Sequence, residues 1–374
     1  MAAIDSLLQR AVQIGASDVQ VATGSPPIVR RFQQLTRFKA NPLTAAQTQH
    51  LLYEILTAEQ RAIFEKDWEL DFAYEIDGLA RFRVNAFMQR YGPQICFRVI
   101  RQPIPTFEQL GIPELMKKVC DNHQGLILVT GGSGAGKSTT LASMVDFINT
   151  HKAHHILTCE DPIEYIHPIK KGAVNQRQLS THTKSYKNAL KAALREDPDV
   201  IMVGELRDLE TISLAISASE TGHLVIGSMN TSSAHKTVDK IIDSYPPEQQ
   251  NQIKSMLGES LKAVFTQRLL PRADGQGLVM AYELLLGNLQ LANLIKDGKT
   301  FQIPNIMQMG KTQGMRTMDD SLMHFVQGGY ISGDVALRNA ANPKTFAQFA
   351  QSKAAQQQVA AEQAAAQAAQ KPQA

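Results

Sequence analysis

Three cysteines in 374 residues, Cys96, Cys120 and Cys159, are too few and too scattered for a disulfide framework, and no two form a C-x-x-C pair. That excludes a structural zinc module and a small stapled secreted fold, and leaves the thiols as packed small residues. No apolar run is long enough to cross a bilayer. Met1-Ala-Ala-Ile-Asp-Ser lacks the basic region and apolar core of a secretory signal, so the chain is expected to stay in the cytoplasm. An excess of one charge is missing too: 38 Lys and Arg stand against 35 Asp and Glu, a net charge of +3. With no dense basic run and no basic track interleaved with aromatics, a nucleic-acid partner is not expected. His151, His154, His155 and His167 offer no ligand pair on one helix face with a third partner, so no histidine-held metal is expected either. Residues 351–374 are almost all Ala and Gln, with no stripe of large apolar side chains to bury, and read as a disordered tail.

What is present is a phosphate loop. Gly131, Gly132, Ser133, Gly134, Ala135, Gly136, Lys137 and Ser138 run G-G-S-G-A-G-K-S, followed by Thr139. The apolar run Leu126-Ile-Leu-Val129 precedes it as a buried strand should, and Leu141, Met144, Val145 and Ile148 follow at helical spacing. Gly134 and Gly136 can take backbone angles closed to other residues, so that successive N–H groups turn toward an anion at a helix N-terminus. Lys137 then reaches the terminal phosphates of ATP. The Ser138 hydroxyl stands where Mg2+ bridging the β- and γ-phosphates needs an oxygen.

Residues up to about 100 read as a small α/β unit. Ile4 to Ile14 is helical in pattern, Val19-Gln-Val21 and Ile28-Val29 are strand-like, and Gly24-Ser-Pro-Pro27 is a tight connection. Ala80 to Phe87 and Gln94 to Ile100 alternate apolar and polar residues, as half-buried strands joined around Tyr91-Gly92-Pro93 would. Pro103 and Pro105 interrupt both ladders and helices, which puts a linker at 101–106. From 107 to 350 strand-like runs alternate with helical stretches, the pattern of a mainly parallel sheet covered by helices. Its strands end in polar residues: Ile156 to Cys159 run into Glu160-Asp161, Val200 to Val203 into Gly204-Glu205, and Leu224 to Met229 into Asn230-Thr231. Open α/β sheets bind ligands beyond the carboxyl ends of their strands, so these groups are expected to converge on one nucleotide.

Hydrolysis of a nucleoside triphosphate requires neutralised phosphate oxygens, a held water and charge for a loose transition state. Glu205, at a strand end, is the candidate for holding metal or its water, although Gly204 stands where an aspartate often precedes such an acid. Glu164, in Glu160-Asp-Pro-Ile-Glu164, is the candidate for polarising the nucleophilic water. Acids in such places also cap the segments that follow them. His223, just before a strand, is either a sensor of the γ-phosphate or a structural histidine.

Three segments after the loop, I-L-T-C-E-D-P-I-E-Y-I-H (156 to 167), A-L-R-E-D-P-D-V-I-M-V-G-E-L-R-D (193 to 208) and E-T-G-H-L (220 to 224), closely resemble the secretion-type hexameric ATPases, and among them the type IV pilus retraction ATPases. G-A-S-D-V (15 to 19) and G-L-A-R-F-R-V-N-A-F (78 to 87) extend the likeness to the N-terminal region. The resemblance implies a PAS-like N-terminal domain over 1–100, a RecA-like ATPase domain over 107–350, and a homohexamer. Nucleotide would lie between the domains, with N-terminal arginines approaching the phosphates; Arg81, Arg83 and Arg98 are the candidates, each equally able to pair with a nearby acid. Glu164 matches the family's catalytic glutamate, Glu205 its Walker B glutamate and His223 the first histidine of its His box. The implied partners are an inner-membrane platform protein at the pilus base and a paralogous retraction ATPase. Two positions depart from the family pattern: Asn230 stands where it has histidine, and Gln290-Leu-Ala-Asn-Leu-Ile-Lys-Asp297 replaces A-I-R-N-L-I-R-E. This drift is similar to accessory retraction paralogues; a pilus-extension or secretion ATPase is the further alternative, and those carry a tetracysteine module absent here.

Overall fold

A computed structural model describes residues 2–32, 34–100 and 102–350, so Arg101 of the expected linker and the expected 351–374 tail lie outside the described residues. In chain order the strands are β1 (Asp18–Ala22), β2 (Ile28–Arg31), β3 (Gln34–Arg37), β4 (Glu69–Ile76), β5 (Ala80–Gln89), β6 (Gly92–Ile100), β7 (Gly125–Thr130), β8 (His155–Glu160), β9 (Ala173–Gln178), β10 (Val200–Val203), β11 (Leu224–Met229), β12 (Leu261–Pro271) and β13 (Leu278–Leu286). The chain divides into two compact units. One takes the chain up to Thr106 together with Ala142–Ala193; the other takes Phe107–Leu141 and the described chain from Leu194 on. This differs from one cut at 101–106, because the chain leaves the first unit after Thr106 and returns to it for Ala142–Ala193.

In the first unit an antiparallel sheet has the order β3-β2-β1-β6-β5-β4. The helix Asp5–Gln13 carries Leu8 and Ala11 one turn apart, and with Ile4 they are buried among Val19, Val21, Phe82, Val84, Ile95 and Phe97. Alternation in β5 sends Phe82, Val84 and Ala86 into this core and leaves Arg81, Arg83 and Asn85 on the other face. Phe82 and Phe97 meet edge to face at 6.2 Å, the geometry that the ring quadrupole favours. Two helices, Ala45–Tyr53 and Ala58–Asp67, begin with capping boxes: Thr44 with Gln47, and Thr57 with Gln60. Each satisfies two N–H groups that a helix start otherwise leaves orphaned. The same unit holds β8 and β9, paired in parallel.

In the second unit the strands run β13-β12-β7-β11-β10. β10, β11, β7 and β12 pair in parallel, and β13 returns antiparallel to β12 at the edge. Every residue of β7, β10 and β11 is buried, as strands covered on both faces require, which is why they read as unbroken apolar runs. Register sets Met229 beside Thr130 and Thr130 beside Thr266, so one edge of the sheet collects the carboxyl ends of β7 and β11. No helix among the described residues is long and apolar enough to cross a membrane.

Candidate nucleotide site

The phosphate loop begins where β7 stops. Thr130 shares a 2.8 Å hydroxyl hydrogen bond with Thr266 of β12, tying the last residue of the strand to its neighbour. Gly134 and Gly136 take φ of +75° and +90°, the left-handed backbone that lets the loop fold on itself. The helix Lys137–His151 then starts directly after the loop, and a helix N-terminus is the end that favours an anion. The Lys137 ammonium donates to the carbonyls of Gly131 (2.8 Å) and Gly132 (3.0 Å), which holds the charge over the loop, where phosphate oxygens would exchange with those carbonyls.

A residue that the motif does not contain supports this geometry. Gln267 of β12 is 1% exposed and donates from Nε2 to the Ala135 carbonyl at 2.7 Å, and a Cβ on Gly136 would stand 3.1 Å from that same nitrogen. Glycine at 136 therefore serves close approach as well as dihedral freedom. The only sequence signal was a glutamine inside an apolar strand, Val264-Phe-Thr-Gln267, where a polar side chain needs a partner.

A cavity of about 360 Å3 adjoins the loop, lined by Gly132, Asn230, Thr231, Ser232, Lys236 and Lys240. Its size suits a small ligand. The two lysines lie four apart on the helix Ala234–Asp243, whose apolar stripe Val238, Ile241 and Ile242 is buried, so both ammonium groups share the polar side. The start of that helix is anchored by buried Glu283 of β13, which accepts the Ala234 N–H at 2.6 Å and whose pKa is pushed up by burial. Lys236 and Lys240 were missed in the sequence; the signal was K-x-x-x-K on an amphipathic helix directly after a strand end.

Glu205 follows β10, where its carboxylate accepts from Arg207 at 2.8 Å. The turn is pinned to β11 by Leu206 N–H to the Ser228 carbonyl (2.8 Å) and the Ser228 hydroxyl to the Gly204 carbonyl (2.6 Å). Gly204, in place of an aspartate, thus leaves Glu205 as the acid of this strand end. His223 stands apart from the loop within this sheet. Its carbonyl accepts the Gly125 N–H, and β11 pairs with β7 from Leu224 beside Gly125 to Met229 beside Thr130. Six steps at roughly 3.3 Å separate it from the level of Met229 and Thr130, about 20 Å. A residue before a strand lies at the opposite sheet edge from one after it, so His223 is not brought to the loop; its Nδ1 lies 3.1 Å from the Ala218 carbonyl.

The first unit gathers a second group. Glu164 follows β8, and its Oε1 accepts from Arg83 Nη1 at 3.3 Å. Arg81, two residues earlier on the same face of β5, donates from Nε to the Ile163 carbonyl (3.0 Å) and from Nη1 to Glu75 (2.7 Å). Arg98 stands opposite Arg83 in the sheet register, yet its side chain is half exposed and pairs with Asp18 at 3.2 Å. Of the two roles open to it in sequence, pairing with an acid is the one seen. An exposed pair of this kind contributes about 0–1 kcal/mol. Glu160, at the end of β8, is buried and accepts from the Thr158 hydroxyl (2.6 Å) and Gln176 (3.0 Å); burial pushes its pKa up.

Among the described residues no three His, Cys, Asp or Glu side chains are grouped to hold a metal by themselves. The Ser138 hydroxyl, in the loop, and the Glu205 carboxylate, after β10, are hard oxygens, the type that Mg2+ takes as one or two protein ligands beside phosphate and water.

Residues 1–322 match the family described as Type II/IV secretion system protein. The type IV pilus retraction ATPase PilT of Pseudomonas aeruginosa is 46% identical over 92% of this chain and 99% of its own length. The chain belongs to that family, as a PilT-type ATPase. The PilU pilus ATPase of the same organism is 36% identical over 90% of this chain and 88% of its own. A crystal structure of the pilus retraction motor PilT with bound ADP superposes with a TM-score of 0.81 at 43% identity, covering 91% of this chain and 97% of that one.

Both departures from the PilT-type pattern have a place in the fold. Asn230, where the family pattern has histidine, lines the cavity together with Gly132 of the loop. The altered helix is Leu289–Lys296, capped by Asn288 Oδ1, which accepts the Leu291 N–H at 2.8 Å. Ala292 is buried, its carbonyl 3.1 Å from where a Cβ on Gly258 would sit, so two small residues bring two helices close. Lys296 pairs with Glu259 at 2.8 Å on the exposed side.

Proposed function

We propose that this chain is an ATP-hydrolysing motor that powers type IV pilus retraction. The observation that carries this reading is 46% identity to a retraction ATPase across nearly the whole of both chains, joined to an intact, pre-formed phosphate loop. The functional division we propose is 1–100 and 107–350 about the proline linker. The motor is a homohexamer at the cytoplasmic side of the inner membrane, working against a platform protein and beside a paralogous retraction ATPase where one is present. Gly131 to Thr139 hold the phosphates of ATP, with Lys137 supplying charge. Ser138 and Glu205 hold Mg2+, which when bound neutralises charge between the β- and γ-phosphates. Glu164 polarises the attacking water, and Arg81 and Arg83 set the loop that carries it.

An accessory, weakly hydrolysing role is the second reading, favoured by Asn230 at the cavity, because an amide carries neither a proton nor a charge. The higher identity to PilT than to PilU, 46% against 36%, weighs toward the first. Steady-state ATPase assays on the purified chain decide between them. The unmodified protein is expected to turn over ATP, and Lys137→Ala and Glu205→Ala to lose at least about 100-fold, the scale of removing one charge-stabilising group from a transition state. Turnover that survives both substitutions sinks the enzyme; none in the unmodified chain selects the accessory reading.

A further inference from the structure

The segment that carries Glu164 has no backbone ladder of its own, yet it is held like a strand. Ile163, Tyr165 and His167 are buried while Ile166 is exposed and Glu164 half-buried, a two-residue alternation through a stretch without regular secondary structure. The bonds that impose it come from two side chains of β9. Gln178 Oε1 accepts the Ile163 N–H at 3.1 Å. Gln176 Oε1 accepts the His167 N–H at 2.9 Å, and its Nε2 donates to the Tyr165 carbonyl at 2.8 Å. A glutamine amide is a peptide group on a short stem, and here two of them replace the neighbouring strand that 163–167 lacks. The backbone partners also settle which end of each amide is oxygen, since an N–H can only donate and a carbonyl only accept.

The clamp is itself anchored. Gln176 and Gln178 lie two apart on one side of β9, in register with Thr158 and Glu160 of β8. Gln176 Nε2 also donates to Glu160, which takes a second bond from Thr158, and Gln178 Nε2 donates to the Thr181 hydroxyl at 3.1 Å. From the other side Arg81 holds the Ile163 carbonyl, so both backbone polar groups of that residue are occupied. Parity is the consequence. A slip of one residue would turn Glu164 inward and bury it, as a register slip does in any strand.

We propose that Gln176 and Gln178 are positioning residues for Glu164, fixing by backbone capture the register that presents its carboxylate. This rests on the reading of Glu164 as the group that polarises water. The test uses the full chain, with kcat and KM for ATP measured separately for Gln176→Met, Gln178→Met, Gln178→Glu and Glu164→Gln. Methionine keeps length and bulk but neither accepts nor donates as an amide does. Both methionine variants are expected to lose kcat by about 10- to 100-fold, the cost of a misplacement near 1 Å, with KM changed less than about threefold. Gln178→Glu still accepts the Ile163 N–H and is expected to keep kcat within about threefold of the unmodified chain. Methionine variants with unchanged kcat, beside an inactive Glu164→Gln, overturn the proposal and leave the role of Glu164 standing. A fully active Glu164→Gln overturns the underlying reading instead. Amide hydrogen exchange over 161–168 reads the clamp without turnover: exchange is expected to quicken in both methionine variants, and an unchanged rate overturns the proposal as well.

Discussion

Burial holds the His167 imidazole neutral. Its pKa is pushed down to about 4 from an ordinary 6.5, chiefly by desolvation, with Asp146 opposing and Lys170 adding to the fall, and its Nδ1 is buried with no hydrogen-bond partner among the described residues. An imidazole whose folded pKa lies below its unfolded value contributes stability that is fully present above pH 6.5 and lost as pH falls toward 4, because the unfolded chain takes the proton first. At pH 5 the loss from this group is roughly 2 kcal/mol. Urea unfolding of the unmodified chain and His167→Asn at pH 7.5 and 5.0 is expected to show that much extra acid sensitivity only in the former; equal sensitivity would refute the assignment. Residues of this kind differ in how they can be read from a sequence. Lys137 and Glu164 stand in motifs whose spacing carries chemistry. Gln176 and Gln178 carry no such mark, since what they do depends on which backbone groups come within reach.

At the scale of elements, the phosphate loop is a strand end, a turn and a helix start, held from outside by β12. The bond from Gln267 to Ala135 joins residues 132 apart in sequence. Replacing Gln267 with leucine leaves the Ala135 carbonyl without that donor, a cost of about 1–3 kcal/mol for a buried group. Much of this falls on the loop, so ADP or ATP affinity, read by calorimetry, is expected to weaken by roughly 5- to 100-fold. Unchanged affinity would show that the loop holds its shape unaided. Strand patterns were legible here because their physics is local. Alternation in β5 and β6 and the apolar runs of β7, β10 and β11 appear as expected. The capping boxes Thr44 with Gln47 and Thr57 with Gln60, first seen in the structure, are equally local, each closing within three residues. His223 went the other way: its position in the chain beside β11 was plain, but strand direction puts it at the far edge from the loop.

For the whole molecule, the retraction reading predicts behaviour in a cell. Deleting the gene is expected to leave surface pili in place and abolish twitching, restored by the unmodified chain and not by Lys137→Ala; normal twitching in the deletion strain would contradict it. From residue order alone came the α/β class, the nucleotide loop and the acidic strand ends, because each follows from neighbours within a turn or a strand. Folding settled the rest. It paired Arg83 with Glu164 and Arg98 with Asp18, brought Asn230, Lys236 and Lys240 to one cavity beside Gly132, grouped Ala142–Ala193 with the N-terminal region, and set a glutamine clamp behind Glu164. Such contacts join residues nine to more than a hundred positions apart, and side-chain reach of a few ångströms decides them only after the strands have taken their register.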